Sequence, residues 1–110
     1  MNIKTIQDII FGVTFVACGA GQWLDDYTTG AGLSRGFIEA NSFAGKVQAK
    51  IGAAGFFVVK CMVIPAIGAA LYAFAGFGLS LAWLIPLAVE GFIAGIRNWI
   101  LLAKNKVCVF

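Results

Sequence analysis

Three long apolar stretches constrain the fold of this chain more than any other feature of its sequence. They run over about residues 6–24, 51–75 and 79–102. Each is close to the roughly 20 residues that an α-helix needs to cross about 30 Å of hydrocarbon. Because unpaired backbone N–H and C=O groups are costly in lipid, these stretches are predicted to be helices. The sequence therefore predicts an all-α fold: residues 1–110 form a single transmembrane domain, a polytopic bundle of about three helices.

The composition also indicates a chain that is surrounded by lipid. Of the 110 residues, 61% are hydrophobic and 12% are charged, whereas a soluble domain carries roughly 25% charged residues. A soluble unit of this length could not bury so much apolar surface, because small domains leave much of their chain exposed. We therefore expect a lipid bilayer as the main partner, in a bacterial inner membrane or a viral membrane.

The segments between the apolar stretches predict how the helices are arranged. Residues 25–50 form a polar connection, and residues 76–78 allow only a tight helical hairpin between the second and third spans. Lysine and arginine residues in short loops mark the cytoplasmic side of a membrane. One side of the predicted bundle has only Lys4, and the other has Arg35, Lys46, Lys50, Lys104 and Lys106. The sequence thus predicts an N-terminus outside and a C-terminus inside.

The first apolar stretch has a weak likeness to a cleaved leader. Residues 15–19 resemble a bacterial lipoprotein cleavage site. However, Asp8 interrupts the apolar region and only Lys4 precedes it, which is unlike a signal peptide. We therefore expect a membrane span here and no processing.

Two charged residues are predicted to lie at membrane depth. Counted from the inner ends of their spans, Lys60 is about 14 Å deep and Glu90 about 17 Å deep at helical rise. Inserting such a charge costs roughly 2.5–3.5 kcal/mol, so each residue is expected to have a partner. The second and third spans are antiparallel neighbours, which favours a Lys60–Glu90 ion pair that sets the helix register. The alternative is a proton or ion path through the centre of the bundle.

A second group of polar residues follows the first apolar stretch. If the first helix continues, Gln22, Asp26 and Thr29 share one face at i, i+4 and i+7. In one interpretation that face is a solvated or capped helix end. In the other, the chain folds back so that Asp26 and Glu39 approach Lys60. The candidate intramembrane polar cluster comprises Lys60, Glu90, Asp26, Glu39, Asn41 and Asn98.

Small residues in the third span predict close helix packing. Gly91 and Gly95 lie four residues apart, and Ala88 lies about one turn before Gly91. Such residues let helix backbones approach closely in lipid. Packing within the chain is the simpler interpretation, and self-association through this face is the alternative.

The residue types that most catalytic and cofactor sites require are missing from the sequence. There is no histidine, which is the commonest general base and metal ligand. Cys18, Cys61 and Cys108 fit no metal-binding spacing. The chain also has no Gly-x-Ser-x-Gly run, no phosphate-binding Gly-rich loop and no basic, aromatic-rich patch. We expect a protein that is not an enzyme, with no catalytic residues, cofactor or metal and no nucleic-acid partner.

Scattered polar residues resemble the pattern of a known family. The pattern consists of Asp25-Asp26-Tyr27-Thr28-Thr29, Gly36, Glu39-Ala40-Asn41, Lys60 and Asn98. It resembles an uncharacterised family of small integral membrane proteins, known only as a domain of unknown function, with an Asp…Thr-Thr…Gly…Glu-x-Asn-Pro pattern and a membrane lysine. Ser42 stands where that family has proline, so the turn after Asn41 is expected to differ. The resemblance covers about residues 24–98. It implies a three-helix membrane fold with polar residues towards its inner half, and no assigned activity.

Three functions are compatible with these features. The first is a structural or assembly subunit that packs against other membrane proteins or copies of itself. Faces of small residues and short extramembrane segments favour it. The second is a pore-former resembling a phage holin, although the basic tail has only Lys104 and Lys106. The third is a small ion or proton channel that uses Glu90 and Lys60.

Overall fold

The computed structural model shows three membrane-length helical rods that pack side by side. The structure describes residues 2–34, 38–39, 42–104 and 108–109, with side chains for residues 2–34 and 45–104. Its elements are α1 (Ile3–Ser34), β1 (Ile38–Glu39), α2 (Ser42–Val58), a π-helical turn (Val59–Val63), α3 (Ile64–Phe74), α4 (Phe77–Ala103) and β2 (Cys108–Val109). Helices long and apolar enough to cross a membrane cover Ile3–Ser34, Gly45–Phe74 and Phe77–Ala103. The predicted all-α membrane bundle is confirmed.

Helix α1 extends well beyond its apolar stretch. It continues to Ser34, through a segment that the sequence analysis assigned to a polar connection over residues 25–50. The extension has a buried polar side that includes Asp25, Thr28 and Thr29. A polar helix face can be buried where neighbouring helices supply hydrogen-bond partners, and those partners are present here.

The second span is a rod built from three helical pieces. Within α2, Gly52 has φ 79° and ψ 169°, a backbone conformation that side chains disfavour and that kinks the helix. The π-helical turn follows α2, and the Ile64 N–H donates to the Val59 carbonyl. Pro65 comes next, in the first turn of α3, where a missing N–H is tolerated. The widened turn contains Lys60, whose side chain is directed towards α1.

A tight turn reverses the chain between α3 and α4. The N–H groups of Ala75 and Gly76 both donate to the Leu71 carbonyl at 2.8 Å. Gly76 has φ 117°, a region open mainly to glycine. Helix α4 then begins at Phe77, so α3 and α4 form the tight antiparallel hairpin that the sequence predicted.

Glycine residues bring α1 and α4 into backbone contact. A Cβ placed on Gly91 would lie 2.5 Å from the Gly21 carbonyl carbon, and one on Gly21 would lie 2.8 Å from the Ala88 carbonyl oxygen. A Cβ on Gly95 would lie 2.6 Å from Cγ of Leu24. Larger residues would therefore push the two helices apart. Gly91, Gly95 and Ala88 pack against α1 of the same chain.

The apolar interior of the bundle is small, and most large apolar side chains point outward. Cys18, Leu84 and Ala88 form the buried apolar cluster. Many aliphatic and aromatic side chains on the outer faces are exposed, among them Val16, Phe74 and Ile93. A soluble protein rarely exposes so much contiguous apolar surface, whereas a lipid-exposed bundle does.

Two short strands connect segments that are distant in sequence. Ile38 pairs with Cys108, and Glu39 pairs with Val109, in parallel. The connection after α1 and the chain after α4 therefore meet at one end of the bundle. A three-span topology requires this arrangement, since both segments must leave the same side of a membrane.

Gly91→Ala is expected to lower the free energy of unfolding by about 1–3 kcal/mol, the usual cost of overpacking a tight contact. The added methyl group would meet the Gly21 backbone, which can move only if α1 and α4 separate. Denaturant titration of the purified protein in detergent micelles, followed by circular dichroism, measures the change. Gly19→Ala is the matched control, because a Cβ there meets nothing within 4 Å. Equal destabilisation by both variants would contradict the proposed close contact.

Candidate functional site

A buried aspartate on α1 is the centre of the main polar cluster. Asp25 forms an ion pair with Lys60 of the π-helical turn, whose Nζ donates to Oδ2. Asn98 of α4 donates from Nδ2 to Asp25 Oδ1 at 3.2 Å, and Thr29 Oγ1 donates to the same oxygen at 3.4 Å. One carboxylate therefore joins all three spans.

Asn98 and two threonines complete the cluster. Asn98 is fully buried, and its Nδ2 also lies 3.2 Å from Thr28 Oγ1 and 3.0 Å from Thr29 Oγ1. The Thr28 hydroxyl donates to the Leu24 carbonyl at 2.8 Å and lies 3.1 Å from the Asp25 carbonyl. The two hydrogens on Asn98 Nδ2 are thus shared among three nearby oxygens, and the Thr28 hydroxyl donates within its own helix. Buried polar groups that bind one another in this way avoid most of the desolvation penalty.

The ion pair is shielded from its surroundings. The side chains of Lys60 and Asp25 are 14% and 4% exposed. Phe56 covers the ammonium, with Nζ 5.6 Å from the ring centroid, a distance at which a cation is attracted to an aromatic face. Removal of one partner would leave the other charge in an apolar environment, which is strongly unfavourable.

A second polar contact lies nearer the middle of the bundle. The buried Gln22 amide donates from Nε2 to the Leu87 carbonyl at 2.8 Å and to Glu90 Oε2 at 3.0 Å. Gln22 is 1% exposed, whereas Glu90 is exposed on the outside of α4. Glu90 is therefore held from within by one amide while its carboxylate remains accessible from outside.

The predicted Lys60–Glu90 ion pair is wrong. The Lys60 ammonium binds Asp25, and Glu90 accepts a hydrogen bond from Gln22. The predicted pair came from comparing depths in the second and third spans, and the face considered on a continued first helix contained Asp26 rather than Asp25. Because α1 continues as a helix to Ser34, the Asp25 carboxylate faces Lys60 and binds its ammonium.

The other predicted cluster residues have different outcomes. Asn98 joins Lys60 in the cluster, as described above. Asp26 is half-buried on α1, and its neighbour Asp25 makes the contact with the lysine. The backbone of Glu39 lies in β1, but its side chain and the whole of Asn41 lie outside the described residues.

The predicted cluster did not include Asp25 or Thr28, which the structure places in it. The spacing of small and polar residues along the sequence could have predicted both, because the buried residues of α1 recur every three or four positions, as on one face of a helix. They are small or polar residues: Cys18, Gly21, Gln22, Asp25, Thr28, Thr29 and Gly32. This side continues from the apolar stretch into the polar segment, so the two belong to one helix.

A separate set of polar contacts lies at the opposite end of the bundle. Lys4 Nζ donates to Asp8 Oδ1 at 2.9 Å and to the Tyr72 hydroxyl at 3.1 Å, and that hydroxyl donates to Asp8. The Tyr72 ring also packs against Phe11, with ring centroids 4.2 Å apart. These contacts tie the start of α1 to the end of α3. Both charged side chains are more than half exposed, so this ion pair is far less enclosed than the one between Asp25 and Lys60.

The buried apolar residues lie between the two polar regions. Cys18, Leu84 and Ala88 fill this part of the interior. Nearby, Ser80 donates to the Gly68 carbonyl at 3.0 Å, and Trp83 Nε1 donates to the Ile64 carbonyl at 2.8 Å. The Ser80 hydroxyl and the Trp83 indole N–H are therefore hydrogen-bonded within the α3–α4 hairpin. In the part of the chain with described side chains, the interior is divided rather than continuously polar.

Asp25→Asn is expected to destabilise the protein by about 3–5 kcal/mol, because it removes the ion-pair partner of the largely buried Lys60 ammonium. Asp25→Asn combined with Lys60→Met should cost less than the sum of the two single changes, since the double variant has no stranded charge. Unfolding free energies in detergent micelles measure both effects. The half-buried neighbour provides the matched control, Asp26→Asn, for which a smaller change is expected, because Asp26 interacts with Lys60 through charge and without a direct ion pair. Strict additivity of the two single changes would show that the ion pair contributes nothing to stability.

Five residues of the polar sequence pattern meet in the cluster. Asp25, Thr28, Thr29, Lys60 and Asn98 come from three spans and meet around one carboxylate. Among the described residues, no group of three or more histidine, cysteine, aspartate or glutamate side chains could hold a metal ion. Comparison of the chain with protein-family models, with curated proteins and with solved structures finds no match.

Proposed function

We propose that this protein is a non-enzymatic structural or assembly subunit that packs against other membrane proteins. The observation that carries the proposal is how its buried polar groups are used. Asp25, Lys60 and Asn98 bind one another across three spans, so their hydrogen-bonding capacity goes into holding the bundle together. A catalytic site needs polar groups that are free to contact a substrate. The resemblance to small membrane proteins with no assigned activity accords with this role.

A conduction path through one copy of the chain has less support. Ions cross membranes along pores that replace their hydration shell over the whole length. In this bundle the buried apolar residues Cys18 and Leu84 interrupt the polar interior. Lys60, which the channel hypothesis uses together with Glu90, is bound to Asp25 instead.

One observation favours a second candidate, a pore formed by several copies. The Glu90 carboxylate is exposed on α4, and a ring of such carboxylates is a common lining of cation channels. A holin-like pore would use the same outer face. Both alternatives predict measurable permeability, which an assembly subunit lacks.

Purification of the full chain from its host membrane in mild detergent tests the proposed function. Native mass spectrometry should show a complex of constant stoichiometry with at least one other membrane protein. The isolated chain, reconstituted in liposomes, should give background proton and potassium flux, both as wild type and as Glu90→Gln. Flux that Glu90→Gln abolishes would establish the channel instead. Abrupt permeabilisation of cells on expression of the chain alone would establish the holin-like pore.

We also infer that the N-terminus lies outside and the C-terminus inside, in a bacterial inner membrane or a viral membrane. Lys104 lies at the end of the bundle where β1 and β2 pair, and positive charge favours the cytoplasmic side. Trp23 and Tyr27 are exposed and stacked towards the same end, with centroids 5.2 Å apart. Aromatic side chains of this kind favour the level of the lipid headgroups.

Cysteine labelling in intact cells measures this orientation. In a background without the native cysteines, Asn2→Cys should react with a membrane-impermeant maleimide added outside. Lys104→Cys should react only after the membrane is permeabilised. The reverse pattern would show that the bundle is inserted the other way round.

A further inference from the structure

The middle of α4 has a carboxylate on its outer side. Glu90 is the central residue of the helix that runs from Phe77 to Ala103, so it lies about 20 Å from each helix end at helical rise. Its side chain is exposed on the surface of the bundle. Acidic residues at this depth almost always face protein or a water-filled cavity, because contact with lipid is costly. The exposed position of Glu90 therefore indicates that another molecule covers it.

The chain supplies little of the hydrogen bonding that Glu90 can accept. A carboxylate has about four acceptor positions. Gln22 Nε2 binds one oxygen, and the same nitrogen also donates to the Leu87 carbonyl. Lys60, which the sequence predicted as the partner of Glu90, is bound to Asp25 instead. Within the described residues, Gln22 is the one donor to Glu90, so the outer side of the carboxylate is available to a partner.

The residues on the outer side of α4 around Glu90 define a face with one carboxylate at mid-depth. We call it the Glu90 face, and it consists of exposed residues along one side of α4: Ala82, Pro86, Glu90, Ile93 and Arg97. Pro86 has no N–H, so the Ala82 carbonyl lacks its usual helical donor. Arg97 lies two turns beyond Glu90, towards the end of the helix. At mid-depth the face thus presents an acceptor carboxylate, while the Ala82 carbonyl and Arg97 lie about 12 Å and about 10 Å from Glu90 along the helix in opposite directions.

A second copy of this chain matches the Glu90 face poorly. A two-fold dimer through this face would bring two Glu90 side chains together, and like charges in a low-dielectric site repel strongly. Among the described residues of that copy, its own Asp25 holds Lys60, and Arg97 of the same face lies about 10 Å along the helix from the level of Glu90. Charge complementarity therefore favours a different chain as the partner.

We propose that the Glu90 face docks a transmembrane helix of another membrane protein, one that carries a lysine or arginine at mid-membrane depth. This rests on the proposed function as an assembly subunit and specifies the chemistry of its partner. Acidic and basic residues pair across membrane helices because either charge alone is unstable in lipid. Gln22 holds one Glu90 oxygen, and the partner's cation binds the carboxylate from outside. The small side chain of Ala82 allows the partner helix to approach.

A synthetic transmembrane helix is the probe for this docking. The peptide consists of leucine and alanine with one central lysine, carries an acceptor fluorophore, and is compared with the same peptide bearing a central leucine. The full chain carries the donor fluorophore in phosphatidylcholine liposomes, so energy transfer reports binding. The lysine peptide should bind at least about ten-fold more tightly than the leucine peptide. Glu90→Gln should remove that difference, whereas Asp8→Asn, at the far end of the bundle, should preserve it.

A second variant tests the Glu90 face independently, in case Glu90→Gln fails to fold. Ile93→Trp adds bulk to the Glu90 face but keeps the carboxylate, and it should also weaken binding of the lysine peptide by about ten-fold. Equal binding of the two peptides, or unchanged binding to both variants, would overturn the proposal. Energy transfer between labelled copies that depends on Glu90, in the absence of peptide, would overturn it in favour of self-association.

The outcomes also separate this inference from the proposed function. If the lysine peptide fails to bind but the chain still purifies in a complex of constant stoichiometry, the docking chemistry is wrong and the assembly role stands. If no such complex exists and the chain alone conducts ions, the assembly role itself is wrong.

Discussion

The ion pair between Asp25 and Lys60 is the contact on which the arrangement of the three spans depends. Lipid-facing apolar surface is much the same along each helix, so it favours no particular register. The Asp25 carboxylate has short-range partners on the other two spans, Lys60 and Asn98. Sliding any span by one turn, about 5.4 Å, would separate them. Because an isolated charge is so costly in this environment, alternative registers are disfavoured even where their apolar packing is adequate.

The glycine contact and the polar cluster support each other. Aspartate, threonine and asparagine side chains are short, so they can bind across a helix interface only where the two backbones approach closely. Gly21 and Gly91 provide that approach, and Gln22, next to Gly21, can then reach the Leu87 carbonyl. In turn, the hydrogen bonds hold the helices at a separation that only glycine tolerates. Neither set of residues explains the packing without the other.

The membrane fold could be predicted from the sequence because hydropathy and segment length report directly on bilayer thickness. The extension of α1 to Ser34 could not be predicted in the same way. Its residues are polar enough for a loop, and they are buried only because Lys60 and Asn98, distant in sequence, come to meet them. The partner of Lys60 was missed for the same reason, since depth counting compared two adjacent spans and left out α1. The sequence marked Gly91 as a packing residue, but it could not show that Gly21 lies opposite.

The order of residues along the chain has a consequence for biosynthesis. Asp25 and Lys60 leave the ribosome before α4, whereas Asn98 and the glycines that cover Gly21 emerge with the last span. A nascent chain with two spans would expose the uncovered side of α1 to the translocon or to lipid. The polar turns of α1 would then lack their contacts with Asn98 and with the α4 glycines until the last span inserts. Completion of the bundle is therefore a late event in which α4 covers a polar segment that was synthesised earlier.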